Sequence, residues 1–263
     1  MLAQERHAVI LEMLRERSII KISDIAKRFG VSNLTARRDL DALQDQNLIR
    51  RVYGGAVLLD AAGEGSEPGA AFRRRAAQAE VRAIGKAAAA MVQEGDILFL
   101  GTGTTVLEVA RQIRHLSNLT VITGSLAVIN ELADTGNTLY VLGGKLDKEE
   151  HSFGGSNASQ MLRTFCADKA FVGCGGVSVT HGVTDYYTRV ADIDRLMVQQ
   201  ASKAIMVCAS HKFDNTALSV VCPVADLDVI ITDDGISPRH CEALRRQGVE
   251  LRTVPVDGEG ENT

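Results

Sequence analysis

Two kinds of chemistry can be read from the residues of this 263-residue chain. The first is anion recognition. Three stretches combine glycine, hydroxyl and lysine: Gly101-Thr102-Gly103-Thr104-Thr105, Gly143-Gly144-Lys145 and Ser210-His211-Lys212. Glycine lets the backbone approach a ligand, hydroxyls and amides donate to phosphate oxygens, and lysine supplies the counter-charge. The first stretch lacks the Gly-Lys-Ser/Thr ending of a P-loop, so nucleoside-triphosphate chemistry does not follow from it. The second chemistry is duplex recognition. Ser32, Asn33, Thr35, Arg37 and Arg38 crowd one short segment, and Arg50, Arg51 and Tyr53 follow. Arg can read guanine and Asn adenine through paired hydrogen bonds, while Ser and Thr hydroxyls reach phosphates.

Other chemistry is thinly supported. Asp185, in Gly182-Val183-Thr184-Asp185-Tyr186-Tyr187, is the carboxylate best placed to act as a general base, should the chain isomerise a sugar phosphate. It serves equally as a turn cap or an acceptor for sugar hydroxyls. His7, His115, His151, His181, His211 and His240 show no metal-ligand spacing. Cys166, Cys174, Cys208, Cys222 and Cys241 form no C-x-x-C pair, so they read as reduced thiols of a cytoplasmic protein. No metal and no cofactor is expected.

The elements that must position these residues follow from periodicity. An apolar stripe of Val9, Ile10, Met13 and Leu14 predicts a helix from Gln4 to Arg17. Ile19 to Ile22 is β-branched and strand-like. Ser23 reads as the N-cap of a second helix that stops at Gly30. Ser32 caps a third, buried along Ala36, Leu40 and Leu43 and stopped at Asn47. Helix, glycine turn, helix is a helix-turn-helix pattern, and the Ser32–Arg38 end is the one expected in a major groove. Leu48 to Gly55 then reads as a strand and tight turn, a wing carrying Arg50, Arg51 and Tyr53.

Beyond residue 70 the pattern changes to apolar strands alternating with helices. A helix from Phe72 to Val92 leads into a strand at Ile97–Leu100, and further strands fall at Thr120–Thr123, Leu139–Leu142, Lys169–Gly173, Ala204–Ala209, Val229–Thr232 and Val249–Val254. Such alternation predicts a mostly parallel sheet covered on both faces. All three glycine-and-lysine stretches then sit at carboxyl ends of strands, where such sheets bind ligands.

Composition agrees with two parts. Residues 1–57 hold 10 Lys and Arg against 7 Asp and Glu, a charge of +3; the rest hold 19 against 26, a charge of −7. The stretch Asp60–Gly69 has linker composition. The expected organisation is a DNA-binding unit at 1–58, a linker at 59–69, a ligand-binding unit at 70–256 and a frayed tail at 257–263. No apolar run approaches the ~20 residues of a membrane span, and charge stands where a signal peptide would be apolar. Secretion and membrane insertion are therefore excluded as first readings.

The N-terminal segment resembles the winged helix-turn-helix of the DeoR family of bacterial transcriptional regulators. The family's VS-x-x-T-x-RRDL core corresponds to Val31, Ser32, Thr35 and Arg37–Leu40, and its basic, GGA-ending wing to Gly54–Ala56. Two departures are Ala36, where a β-branched residue is usual, and Asn47, where Gly is usual. The remainder is similar to that family's sensor domain, itself similar in fold to ribose-5-phosphate isomerase. The resemblance there rests on the Gly101–Thr105 turn, the Gly144-Lys145 strand end, His151–Ala158, Asp168–Gly176 and His211–Phe213. It covers about residues 3 to 250. It implies that Gly101, Thr102, Gly103, Thr104 and Thr105 cradle a sugar phosphate, aided by Gly144, Lys145 and Lys212. The family's D-x-S-K pattern has lost its carboxylate at Ala209.

The expected protein is thus α/β, a winged helix-turn-helix joined to an α/β sensor. It is a cytoplasmic regulator, a repressor of a carbohydrate-use operon, that binds operator DNA and a phosphorylated sugar. Reading two half-sites requires at least a homodimer, and the resemblance allows a homotetramer. A sugar-phosphate isomerase fused to a DNA-binding domain is the alternative, and a DNA-binding architectural protein without a ligand is a third.

Overall fold

The computed structural model describes residues 3–16, 20–46, 48–52, 55–58, 68–148 and 150–256; at 4, 15–16, 50–52, 57–58 and 68–77 it describes the backbone alone. The chain divides into two units, Met1–Arg73 and Arg74–Thr263.

In the first unit, α1 (Ala3–Glu16), β1 (Ile20–Lys21), α2 (Ile22–Phe29) and α3 (Asn33–Asp45) precede a hairpin of β2 (Ile49–Val52) and β3 (Gly55–Leu58). Ile10, Leu14, Ile25, Ala36, Leu40, Leu43 and Ile49 form one aliphatic core. α2 starts one residue before the cap expected at Ser23. Lys21 is its extended N-cap and offers no side-chain hydrogen bond. Pairing decides this start: Ile20 and Lys21 bond to Ala56 and Gly55 of β3, and the chain turns as soon as that ladder ends. A Cβ at Gly55 would overlap the Ile20 carbonyl, so only glycine lets the two strands meet. α2 ends at Gly30, left-handed at φ 63°, as its position predicted. The expected helix stop Asn47 and wing residues Tyr53 and Gly54 lie outside the described residues, as do residues 59–67 and 257–263.

Across the boundary into the second unit runs α4 (Pro68–Ala89), which starts four residues earlier than the periodicity suggested. Pro68 and Gly69, expected in the linker, form its first turn; proline fits there because its missing N–H would have had no helical partner. There follow β4 (Ile97–Leu100), α5 (Thr104–Gln112), β5 (Thr120–Thr123), α6 (Leu126–Leu132) and β6 (Thr138–Val141). A short hairpin, β7 (Lys145–Asp147) and β8 (Ser152–Gly154), leads to α7 (Ser156–Leu162) and β9 (Ala167–Val172). Then come β10 (Gly176–Ser178), β11 (Gly182–Asp185), α8 (Thr188–Gln200), β12 (Ala201–Val207), β13 (Ser219–Cys222), β14 (Val229–Asp233), α9 (Pro238–Arg246) and β15 (Glu250–Val254).

Seven strands make one sheet in the order β15-β14-β12-β9-β4-β5-β6, and every neighbouring pair is parallel. Period-two alternation splits the core into two layers. Leu98 and Leu100 join Ile84, Val109 and Val128 on the α4–α5–α6 side, whereas Phe99 joins Leu162, Met197 and Leu244 on the α7–α8–α9 side. The antiparallel sheet β10-β11-β13 and the β7–β8 hairpin are additions that periodicity did not anticipate. Their strands are three or four residues long and hold several glycines, which leaves little pattern to read.

Strand order fixes where a ligand can enter. The chain lays down β4, β5 and β6 in one direction, then returns to place β9 on the other side of β4 and continues outward. The reversal lies between β4 and β9. Two diverging connections open a crevice at the carboxyl ends of such a pair.

Candidate functional site

The Gly101–Thr105 turn stands at this reversal. Gly101 N–H still donates to the Phe171 carbonyl of β9, at 3.0 Å. A Cβ on Gly173, just past β9, would come within 3.0 Å of the Thr102 carbonyl, so the two turns touch. Gly103 caps α5 at φ 102°, ψ 163°, a conformation open to glycine and little else. It has no side chain to cap the helix, and no atom approaches its Cβ position within 4 Å. The first-turn amides of α5 therefore have no side-chain acceptor at their cap, and the positive end of the helix dipole stands open beside the crevice.

A narrow cleft with a cavity volume of about 10 Å³ adjoins this turn. Its walls are Gly101 and Thr102, Gly124 after β5, the β7–β8 hairpin and one face of α8. Arg189 of α8 faces Asp147 of the hairpin, with Nη1 to Oδ2 at 3.6 Å.

The other expected residues, Gly144, Lys145, Lys212 and Asp185, sit elsewhere in the second unit and do not line the cleft. Gly144 is held by packing: a Cβ there would meet the Gly154 carbonyl at 2.7 Å. Lys145 pairs with Gly154 in the hairpin and is exposed rather than lining the cleft. Lys212 closes a 3-10 turn after β12, and Ser210 of that turn donates its N–H to Asp233 Oδ1 at 2.6 Å. Asp185 ends β11 and accepts the Tyr187 N–H at 3.0 Å. Burial raises its carboxyl to about 6, with the charge of Lys212 among the opposing influences. Burial likewise pushes Tyr186 up to about 12 and, with the Lys212 charge, lowers His211.

Periodicity missed Asp194. It stands on the α8 stripe Val190, Ile193, Asp194 and Met197 that lines the cleft, and it is 2% exposed. Burial first, then the charges of Asp185 and Cys174, hold its carboxyl well above the ordinary range. The readable signal was a carboxylate at a position where helical spacing demanded an apolar residue.

In the first unit, Ser32 caps α3. Its Oγ accepts from the Thr35 N–H at 3.1 Å and shares a 2.9 Å hydrogen bond with the Thr35 hydroxyl. Asn33, Arg37 and Arg38 are exposed, as is Leu34 at 60%. Arg50 and Arg51 lie on β2, paired with Val57 and Ala56. Asp39, between the exposed arginines and the core, is buried. It accepts 2.8 and 2.9 Å hydrogen bonds from Arg6 and one of 3.1 Å with His7, which tie α3 to α1. Desolvation pushes its carboxyl up, but the Arg6 and His7 hydrogen bonds outweigh it and hold the group below the usual value.

Residues 6–62 match the family model of the DeoR-like helix-turn-helix domain, and residues 76–234 that of the DeoR C terminal sensor domain. The chain belongs to the DeoR family. Full-length relatives agree. The chain is 34% identical over 258 residues to the HTH-type transcriptional repressor GlcR of Bacillus subtilis (strain 168), covering 98% of each chain. It is 34% identical over 247 residues to the lactose phosphotransferase system repressor of Lactococcus lactis subsp. lactis, covering 92% of this chain and 96% of that one. Among solved structures, ribose 5-phosphate isomerase from Plasmodium falciparum aligns with 52% of each chain at 17% identity and a TM-score of 0.38. As a DeoR-family member the chain is a DNA-binding transcriptional regulator and not an enzyme. Among the described residues, no cluster of three or more His, Cys, Asp or Glu could hold a metal, and no helix is long and apolar enough to cross a membrane.

Proposed function

We propose that this DeoR-family chain represses a carbohydrate-use operon and answers to a phosphorylated sugar bound at the carboxyl edge of its seven-stranded sheet. The observation that carries this reading is the open α5 terminus at the sheet's reversal point, beside a narrow cleft lined by Gly101 and Thr102. An exposed helix N-terminus favours a phosphate dianion. In this reading Gly101, Thr102, Gly103, Thr104 and Thr105 hold the phosphate, Lys145 and Lys212 with Gly144 add charge and backbone at the rim, and Asp185 accepts sugar hydroxyls. Operator contacts come from Ser32, Asn33, Thr35, Arg37 and Arg38 in the groove and from Arg50, Arg51 and Tyr53 beside it. Two half-sites one helical turn apart need two such units, so the working form is a homodimer or homotetramer in the cytoplasm. The name of the Lactococcus relative, which joins repression to a sugar phosphotransferase system, supports the carbohydrate side.

The test is thermal melting of the full chain with glucose 6-phosphate, fructose 6-phosphate, ribose 5-phosphate and their unphosphorylated parents. Binding adds RT ln(1+[L]/Kd) to stability. The expected result is a rise with a phosphorylated member and none with its parent. Equal shifts with both would remove the phosphate from the proposal.

A further inference from the structure

The fold has buried a carboxyl oxygen of α8 without giving it a protein partner. Asp194 is 2% exposed, and among the described residues its Oδ1 has no hydrogen-bond partner. Unpaired buried polar atoms are costly and uncommon. A leucine at this position would continue the apolar stripe of Val190, Ile193 and Met197 without that cost.

A second element is shaped around the same group. A Cβ on Gly101 would sit 2.8 Å from Asp194 Oδ1. Glycine at 101 therefore leaves room for the carboxyl as well as opening the turn. Both residues line the cleft, Gly101 from the carboxyl end of β4 and Asp194 from α8.

We propose that Asp194 is the specificity-determining residue of the cleft, and that it recognises a hydroxyl group of a polyhydroxylated ligand whose anionic end lies at the α5 N-terminus. The proposal rests on the reading of the cleft as the sugar-phosphate site. Two features suit a hydroxyl there. Burial, then the neighbouring Asp185 and Cys174, raise the carboxyl well above the ordinary range and so favour its protonated form, which donates through O–H and accepts through its carbonyl oxygen. A hydroxyl does both as well, whereas a phosphate dianion only accepts and would oppose that carbonyl oxygen. The cleft thus separates two tasks: the α5 terminus takes charge, and Asp194 selects a hydroxylated carbon chain.

The experiment uses the full chain as wild type, Asp194→Leu and Asp194→Asn. Each is melted alone and with inorganic phosphate, phosphoglycolate, ribose 5-phosphate, fructose 6-phosphate and glucose 6-phosphate. Without ligand, Asp194→Leu should melt a few degrees above wild type, because the unpaired group is gone; a lower melting temperature would show an internal structural role and overturn the proposal. With the sugar phosphate that shifts wild type most, Asp194→Leu should lose about tenfold or more in affinity, while Asp194→Asn, which also donates and accepts, should stay within about threefold. Undiminished affinity in Asp194→Leu, or an equal loss in Asp194→Asn, overturns the hydroxyl contact alone. A wild type that responds to none of the probes overturns the sugar-phosphate reading itself, and the proposal with it.

Discussion

At the scale of single residues, neighbours decide what a charged side chain is for. Arg37 and Arg38 follow a capped helix start and are exposed, while Asp39 beside them is buried and holds Arg6 and His7. Three consecutive charged residues thus divide between surface and scaffold. Arg37→Ala or Arg38→Ala should weaken specific operator binding by about 1–3 kcal/mol, wherever the arginine contacts a base in two places. Fluorescence anisotropy with a DNA fragment selected from a random pool measures this, and unchanged affinity would remove that arginine from the interface. Asp185 carries a pH signature. Its carboxyl sits at about 6, raised chiefly by burial. The folded chain therefore keeps a proton that the unfolded chain releases. That stabilisation is complete below about pH 4 and is lost as pH rises through 6. Asp185→Asn should flatten this decline and raise stability at neutral pH by on the order of 2 kcal/mol. Parallel melting curves of the two proteins across that window would place the carboxyl in water-like surroundings.

At the scale of elements, the turn after β4 and the start of α5 act as one device. Gly101 bonds to β9, Gly103 adopts a glycine-only conformation, and α5 begins without a side-chain cap. Gly103→Ala meets no atom within 4 Å, so its cost is conformational. It should destabilise the second unit by about 1–3 kcal/mol and blunt the ligand-induced shift as the first-turn amides move. An unaltered melting temperature with an unaltered shift would make the turn ordinary geometry. Much of this device was legible. The apolar run Ile97–Leu100, the glycines and the following helix all announced themselves by type and spacing. Asp194 did not, although it lies on the same cleft. Helical periodicity asks only whether a position is buried, and a carboxylate there reads as an exception until its surroundings are known. The β7–β8 hairpin was hidden as well, because three-residue strands contain too few alternations to register.

At the scale of the whole molecule, the chain joins a basic reading unit to an acidic sensing unit. The +3 charge of residues 1–57 against −7 in the rest makes the first unit the one that meets a polyanion. Operator binding should therefore weaken with salt, with a log–log slope near −0.9 for each phosphate neutralised. A titration of affinity against potassium chloride checks this, and a flat response would leave the basic residues without a role in binding. The DeoR-family match extends through both units, so the two tasks belong to one regulatory chain.

The sequence by itself determined the two-part organisation, the helix-turn-helix, the parallel α/β class and the glycine turn at the end of β4. These are local: each follows from periodicity, caps and residue type within a few neighbours. Tertiary structure decided which strand ends meet. It placed β9 beside β4, so that Gly101, Thr102 and Gly173 share one crevice. It brought the hairpin of Asp147 and α8 with Arg189 and Asp194 to its walls, and left Lys145 exposed on the hairpin instead. Such proximities depend on strand order and on packing between residues far apart in the chain. No pattern within a short window carries that information.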